Sequence, residues 1–217
     1  LPPLSAAPLL AIRKRPQHLF TLADYVRDGV ASAAQASVLR NAVAGRRNIV
    51  VAGGTGSGKT TLLNALLAEP SFRDARAIIL EDTSELQCSS PNAVQLLTRR
   101  APPAVTMRDL VQMTLRLRPD RIVVGEVRDA AALEVLKAWN TGHPGGLLSV
   151  HANSAADALT RLEDLCAETM AAPSARMIAS AIDLIVFIKR TQSGRAITDI
   201  VEVKGVEGGD YVTTSIE

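Results

Sequence analysis

Residues 53–60 read Gly-Gly-Thr-Gly-Ser-Gly-Lys-Thr, which fits the phosphate-binding pattern Gly-x-x-x-x-Gly-Lys-[Ser/Thr]. An apolar strand-like stretch, residues 47–52, precedes this loop, and a helix-like stretch, residues 61–68, follows it. In such an arrangement free N–H groups and the helix dipole converge on a bound phosphate, and glycines let the backbone approach it. A glycine-rich turn with a chance lysine is the alternative. The flanking pattern favours a site for a nucleoside triphosphate.

The last residues of this loop have distinct expected tasks. Lys59 should reach the β- and γ-phosphates, Thr60 should hold Mg²⁺, and Thr61 should lie near the α-phosphate. The sequence therefore predicts a complete phosphate and magnesium site at one strand–helix junction.

Two further apolar stretches end in carboxylates. Residues 76–82 end in Glu81 and Asp82, and residues 118–128 place Glu126 after an apolar run. In doubly wound sheets the C-terminal ends of the strands line the ligand crevice, which favours a functional role for these acids over solvated strand ends. Glu126 is suited to polarise the water that attacks a γ-phosphate. The alternative is a structural glutamate paired with Arg128.

Two histidines, His143 and His151, flank a glycine turn and a short strand-like stretch. No cluster of Cys and His residues has the spacing of a zinc site. A lone histidine is usually a satisfied core residue. A pair near a third strand end instead favours sensors of the γ-phosphate, which change partners when phosphate leaves.

The amino-acid composition limits the classes of protein to which this chain can belong. A length of 217 residues fits one α/β domain, and 47% hydrophobic with 3% aromatic residues predicts an aliphatic core. The formal net charge of +2 is too balanced to imply nucleic-acid binding. Cys88 and Cys166 share no motif, which favours a reducing compartment and buried or inert thiols. No stretch fits a signal peptide or a membrane span, so a soluble chain is expected.

Helix-like and strand-like stretches alternate along the chain, which is typical of an α/β fold with a mostly parallel sheet. The periodicity predicts helices over 21–29, 32–44, 106–117, 130–140, 154–168 and 174–182, and further strands over 92–98, 184–188 and 197–203. The N-terminal stretch 1–16 is proline-rich, with one strand-like piece at 9–13. The basic run at 13–15 is either a solvated edge or a phosphate contact.

Four of these signals stand in a fixed order: the phosphate-binding loop, residues 80–83, residues 118–128, and residues 141–154. In that order they resemble the Walker A, Asp box, Walker B and His box of the traffic ATPases of type II and type IV secretion. Residues 11–15 followed by 20–25, the Arg-Pro-Asp-Arg at 118–121 and the Thr-Gly-His-Pro-Gly-Gly at 141–146 are similar to the type IV branch. The resemblance implies a RecA-like P-loop ATPase domain with helices on both faces of the sheet.

The resemblance also implies roles for individual residues. Glu126 matches the catalytic base, Glu81 and Asp82 match acids that position Mg²⁺ and water, and His143 and His151 match the His box. Arg13 matches an arginine that reaches the γ-phosphate, and Phe20 falls where the family places an aromatic residue near adenine. ATP and Mg²⁺ are the implied ligands, and the implied phosphate contacts are Gly53, Gly54, Thr55, Gly56, Ser57, Gly58, Lys59, Thr60 and Thr61.

For the whole protein the resemblance implies a homo-hexameric motor that energises conjugative DNA transfer. Such a motor is expected in the cytoplasm, peripheral at the inner-membrane face and bound to inner-membrane secretion-complex proteins. Direct sequence-specific nucleic-acid binding is not expected. Residues 1–16 are interpreted as the last strand of an N-terminal domain, 17–45 as a helical linker and 46–217 as the ATPase domain.

Three other functions remain open at this point. The first is a motor for type II secretion or pilus assembly, although that branch often carries a four-cysteine zinc element that this chain lacks. The second is a nucleotide-gated interaction module with little hydrolysis. The third, a DNA translocase, is disfavoured by the modest net charge and the few aromatic residues.

Overall fold

The computed structural model describes residues 19–169, 174–192 and 194–216 of the chain. The strands are Ile49–Ala52 (β1), Ala77–Glu81 (β2), Val94–Leu97 (β3), Arg121–Val127 (β4), Leu147–Val150 (β5), Leu184–Thr191 (β6), Gly194–Glu207 (β7) and Asp210–Ser215 (β8). The helices are Leu22–Arg27 (α1), Ala33–Ala44 (α2), Lys59–Leu67 (α3), Met107–Thr114 (α4), Ala131–Asn140 (α5), Ala155–Ala167 (α6) and Ala175–Ala181 (α7).

The strands form one sheet in the order β3-β2-β4-β5-β1-β6-β7-β8. Neighbours from β3 to β6 pair in parallel, and β7 and β8 are antiparallel additions. All four residues of β1 are buried, as expected of a central parallel strand covered on both faces. Because β1, β4 and β5 run in the same direction, the residues that follow or end them meet at one edge of the sheet.

Helices cover both faces of this sheet. On one face α1, α2 and α3 pack against alternate strand residues such as Val51, and Leu39 and Leu63 are fully buried there. On the other face α4, α5, α6 and α7 enclose a second apolar cluster that includes Val50 and Leu136. The predicted α/β class, with a mostly parallel sheet between two helical layers, is confirmed.

Some element boundaries differ from the sequence prediction. Strand β8 was not predicted, because Asp210–Ser215 is a largely polar, solvent-facing edge strand with no apolar alternation. Strand β7 is longer than the predicted 197–203. The predicted helix 106–117 ends at Thr114 and continues as a 3₁₀ turn over Leu115–Leu117, which closes at Arg118 with a positive φ of 52°.

The N-terminal division of the chain stays a prediction. The interpreted remnant, residues 1–16, lies outside the described residues. Helices α1 and α2 of the interpreted linker bury Leu22 and Leu39 in the same cluster as α3. Side chains of Thr21 and Ser32 cap these helices in reciprocal capping boxes with Asp24 and Gln35, which explains why they start where the sequence predicts.

The buried side chain of Asn48 joins three segments at the opposite edge of the sheet from the phosphate-binding loop. Its Oδ1 accepts hydrogen bonds from the N–H groups of Gly145 and Gly146, at 2.8 and 2.9 Å. Its Nδ2 donates to the carbonyl of Ala181 at 2.9 Å. Asn48 therefore fixes the starts of β1 and β5, the strands that carry two parts of the candidate site.

Replacing Asn48 with alanine is expected to lower the free energy of unfolding by about 2–4 kcal/mol, because three buried backbone groups lose their partners. Denaturant unfolding followed by circular dichroism measures this loss. Asn92→Ala is the matched control, because Asn92 is exposed and accepts one hydrogen bond from Arg76. Equal stability of the two variants would contradict the structural role given to Asn48.

Cys88 and Cys166 are free thiols in the structure, half-buried and buried respectively. Burial raises the pKa of the Cys166 thiol to about 11 and also raises the pKa of Cys88, which is consistent with the predicted inert thiols. Among the described helices, none combines the length and the apolar character that crossing a bilayer requires.

Candidate functional site

The phosphate-binding loop lies in an open cleft of about 490 Å³ between the end of β1 and the start of α3. Helix α3 begins at Lys59, so its first-turn N–H groups face the cleft. The lining residues from the loop and helix are Gly54, Thr55, Gly56, Ser57, Gly58, Lys59, Thr60 and Thr61, and those from other elements are Glu126, Arg128, Ser149, His151 and Arg195. Among the described residues, the cleft therefore has three cationic side chains but only one carboxylate, that of Glu126, and this excess of positive charge favours an anionic ligand.

The glycines of the loop are required by close packing and by backbone geometry. A Cβ on Gly53 would lie 2.3 Å from the carbonyl oxygen of Ile188 and 2.6 Å from the Ser57 hydroxyl. Gly58 has a φ of +107° and immediately precedes α3. The hydroxyl of Ser57, a residue that lines the cleft, is buried and has no hydrogen-bond partner within the described structure.

Lys59 folds back over the loop. Its Nζ donates to the carbonyls of Gly53 and Gly54, at 2.9 and 3.2 Å, and lies 3.6 Å from the Glu126 carboxylate. Burial lowers the pKa of the ammonium, and the negative charge of Glu126 partly opposes this. A phosphate would give this poorly solvated cation a fuller complement of acceptors.

Glu126 reaches the cleft through an irregularity in β4. Val124 pairs with Leu148 and Val127 with Val150, so β4 carries one more residue than β5 over the same span. Such a β-bulge re-aims a side chain. The Ser149 hydroxyl donates to the carbonyl of Gly125 at 2.6 Å and so ties the bulge to β5.

The carboxylate of Glu126 contacts two cations. Oε1 faces Lys59, and Oε2 accepts hydrogen bonds from Nε of Arg128, at 2.7 Å, and from its Nη2. Both sequence interpretations of Glu126 thus coexist: the residue lies at the phosphate loop and is also paired with Arg128. The hydrogen bonds from Arg128 to Oε2 hold the carboxylate in place, and Oε1 can still accept a hydrogen bond from another group.

The two acids of the predicted Asp box are placed differently from Glu126. Glu81 is only 3% exposed, and its carboxylate accepts hydrogen bonds from the backbone N–H groups of Glu85 and Leu86 and from Gln95. Its Cγ would be 3.0 Å from a Cβ on Gly125, so Glu81 supports the bulge from the neighbouring strand. Neither Glu81 nor Asp82 lines the phosphate cleft, and their role toward Mg²⁺ stays a prediction.

Asp82 belongs to a second cleft, of about 440 Å³, that shares Glu126 and Arg128 with the first. Its carboxylate accepts a hydrogen bond from Thr98 at 2.8 Å and lies 3.7 Å from Nη1 of Arg128. Arg128 therefore connects Asp82 to Glu126.

The structure does not bring the two histidines together. His151 follows β5 at the edge that carries the phosphate-binding loop, and it lines the cleft. His143 precedes β5, and its ring nitrogen Nδ1 lies 3.1 Å from the carbonyl of Ala138, at the end of α5. The length of β5 separates the two residues, and their predicted role as sensors of the γ-phosphate stays a prediction.

The residues of the cleft suit a magnesium ion bound together with phosphate. No group of three or more carboxylate, His or Cys side chains with metal-site geometry occurs among the described residues. Mg²⁺ does not require one, because it keeps several waters and takes one or two protein oxygens plus phosphate oxygens. The Thr60 hydroxyl, in the first turn of α3, is placed to be such a ligand.

Two further contacts from the sequence analysis concern Phe20 and Arg13. Phe20 is 36% exposed and does not line the phosphate cleft, so its contact with adenine stays a prediction. Arg13 lies outside the described residues.

Sequence reasoning missed Ser149 and Arg195. Ser149 is the one polar residue of the otherwise apolar strand β5, which is a recognisable signal. Arg195 reaches the cleft from the β6–β7 hairpin, far along the chain, and no local pattern marks it.

Comparison with known proteins gives a consistent picture. The profile of the type II/IV secretion system protein family matches residues 1–201. A probable conjugal transfer protein TrbB of Sinorhizobium fredii strain NGR234 is 52% identical over 213 residues, which cover 97% of this chain and 65% of that protein. The conjugal transfer protein TrbB of Rhizobium radiobacter is 50% identical over 215 residues, which cover 98% and 66%. The chain thus spans just under two thirds of the length of these relatives.

Solved structures agree with the sequence relatives. The VirB11 ATPase of the Brucella suis type IV secretion system, crystallised in complex with sulphate, superposes with a TM-score of 0.70 at 32% identity, over 87% of this chain and 64% of that one. The pilus retraction motor PilT with bound ADP superposes with a TM-score of 0.62 over 94% of this chain and 54% of that one; at 21% identity this likeness concerns the fold.

Proposed function

Since the chain belongs to the type II/IV secretion system protein family, we propose that it is the catalytic part of a secretion ATPase that binds ATP with Mg²⁺ and hydrolyses it to ADP and phosphate. The observation that carries this proposal is the placement of Glu126. Its carboxylate lies 3.6 Å from the ammonium of Lys59 at the phosphate-binding loop, where an attacking water would meet a γ-phosphate.

Each residue of the cleft has a separate proposed role in hydrolysis. The N–H groups of the loop and the first turn of α3 bind the phosphate oxygens, and Lys59 offsets the charge that develops on the transferred phosphoryl group. Glu126 orients the water and accepts its proton as the oxygen attacks phosphorus. The Thr60 hydroxyl would hold Mg²⁺, which would supply positive charge to offset the negative charge of the phosphates. His151 lies beside Ser149 at the same edge and is suited to follow the departure of phosphate.

We further propose that the whole protein works as a homo-hexamer at the cytoplasmic face of the inner membrane and energises conjugative transfer by a type IV secretion apparatus. Support comes from the two relatives named as conjugal transfer proteins, which match nearly the whole chain. The N-terminal stretch with Arg13 is proposed to complete the site from the preceding domain, as the sequence resemblance implies.

A measurement of ATP turnover per subunit over a wide range of protein concentrations tests this function. We expect turnover to rise steeply with concentration, because a ring completes each site between neighbouring subunits. Turnover that is independent of concentration would contradict the proposed assembly into a hexamer but would still support ATP hydrolysis by this chain. Tight ATP binding with no turnover at any concentration would contradict hydrolysis by this chain and support the nucleotide-gated module instead.

A further inference from the structure

Arg195 lies at the phosphate cleft but belongs to neither the loop nor the acidic strand ends. It is the second residue of β7, and its Nε donates to the carbonyl of Gly56 at 3.3 Å. A Cβ on Gly58 would lie 2.9 Å from its Cδ, so the side chain rests directly on the loop. Arg195 therefore lines the same cleft as Lys59.

No carboxylate of the described residues forms an ion pair with the guanidinium of Arg195. Among the described residues no acidic oxygen lies within 4.0 Å of its guanidinium, and its cross-strand partner in the hairpin is another arginine, Arg190. Like charges directly opposite each other destabilise a strand pair. An anion in the cleft would relieve this repulsion and replace the single long hydrogen bond to Gly56 with charge-assisted ones.

The sheet order decides which part of a nucleotide Arg195 would meet. Glu126 lies on β4, separated from β1 by β5, whereas Arg195 lies on β7, separated from β1 by β6 on the other side. The γ-phosphate must lie on the Glu126 side, where the water attacks. The opposite end of the triphosphate then points toward the β6–β7 hairpin.

We propose that Arg195 binds the α-phosphate of the nucleotide, so that the β6–β7 hairpin closes the end of the site opposite Glu126. This inference rests on the proposed ATP binding and adds a residue to it. The α-phosphate is common to ATP and ADP and does not react. Arg195 therefore stabilises substrate, transition state and product alike, and its loss raises KM while kcat stays unchanged.

The test compares Arg195→Gln with Lys189→Gln, a matched control that removes an equal charge from the same hairpin: Lys189 is exposed, pairs with the uncharged Ala196 and does not line the cleft. Titration calorimetry gives the Kd of MgADP and of MgATP, and steady-state assays give KM and kcat. For Arg195→Gln we expect both Kd values to rise by about 10- to 100-fold, because one or two charge-assisted hydrogen bonds to the nucleotide are lost. We expect Arg195→Lys to recover part of this loss and Lys189→Gln to match the wild type.

Inorganic tripolyphosphate separates a phosphate contact from a nucleoside contact. If Arg195 binds the α-phosphate, Arg195→Gln weakens tripolyphosphate binding as much as ATP binding. Weaker ATP binding with unchanged tripolyphosphate binding would overturn the α-phosphate assignment in favour of the base or ribose. Unchanged affinity for all ligands would overturn the proposal altogether, whereas a wild-type chain that binds no nucleotide would refute the proposed function itself. Thermal unfolding without ligand verifies that each variant is folded.

Discussion

Replacing Glu126 with glutamine is expected to lower ATP turnover by about 10²–10⁴-fold, the usual contribution of a positioned general base. The amide keeps the size of the side chain and can still accept a hydrogen bond from Arg128, but it cannot take the proton of the attacking water. The affinity for MgATP should stay close to that of the wild type, because the proposed phosphate contacts come from the loop, α3, Lys59 and Arg195, which this change leaves in place. Single-turnover hydrolysis and equilibrium binding on the same preparation measure the two quantities.

A suitable control is Glu207→Gln, which removes an equal charge at the exposed end of β7, distant from the cleft. Wild-type turnover is expected for it. Unchanged turnover in Glu126→Gln would reject Glu126 as the base. A parallel loss of turnover and of ATP affinity would show instead that Glu126 acts by holding Lys59 and Arg128 in place.

The part of the site that the sequence predicts is the part built from contiguous residues. The loop at 53–60 is recognised because strand, glycines and helix follow each other without interruption, and the structure places it at the end of β1 as expected. Glu126 is recognised because an apolar strand ends beside it. The order of these segments along the chain also specifies the family, which the profile match over residues 1–201 confirms.

The separation of the two histidines was open to the same reasoning. Strand β5 has four residues, and a strand rises about 3.3 Å per residue, so its first and last residues lie roughly 10 Å apart. Only His151, on the C-terminal side, belongs to the edge where the loops of parallel strands meet. The direction of β5 therefore tells more about the positions of the two histidines than their occurrence in one sequence motif.

Other features depend on contacts that no local pattern records. The bulge that aims Glu126 arises from a mismatch in pairing between β4 and β5 and is stabilised by Ser149 and Glu81. Arg195 reaches the loop because β6 lies beside β1 and turns back as β7. Pairing partners and register are set by the whole sheet, so these parts of the site become visible only in three dimensions.

Replacing Lys59 with alanine is expected to raise the Kd for MgATP by about 10²–10⁴-fold. Each hydrogen bond to a charged group contributes about 1.5–3 kcal/mol, and Nζ is placed to donate to both the β- and γ-phosphates. In the structure the same ammonium is buried against the carbonyls of Gly53 and Gly54, and burial lowers its pKa. Removing it therefore relieves a desolvation cost, so the unliganded variant should be as stable as the wild type.

Thermal unfolding with and without MgATP separates these two effects. A ligand at about 100 times its Kd stabilises a folded protein by about 2.7 kcal/mol, so the wild type should show a clear upward shift in Tm and Lys59→Ala almost none at the same concentration. Lys137→Ala, on the outer side of α5, is the control and should keep the full shift. A full shift in Lys59→Ala would place the nucleotide outside the loop. A lower Tm of the unliganded variant would instead assign Lys59 a structural role in holding the loop and Glu126 together.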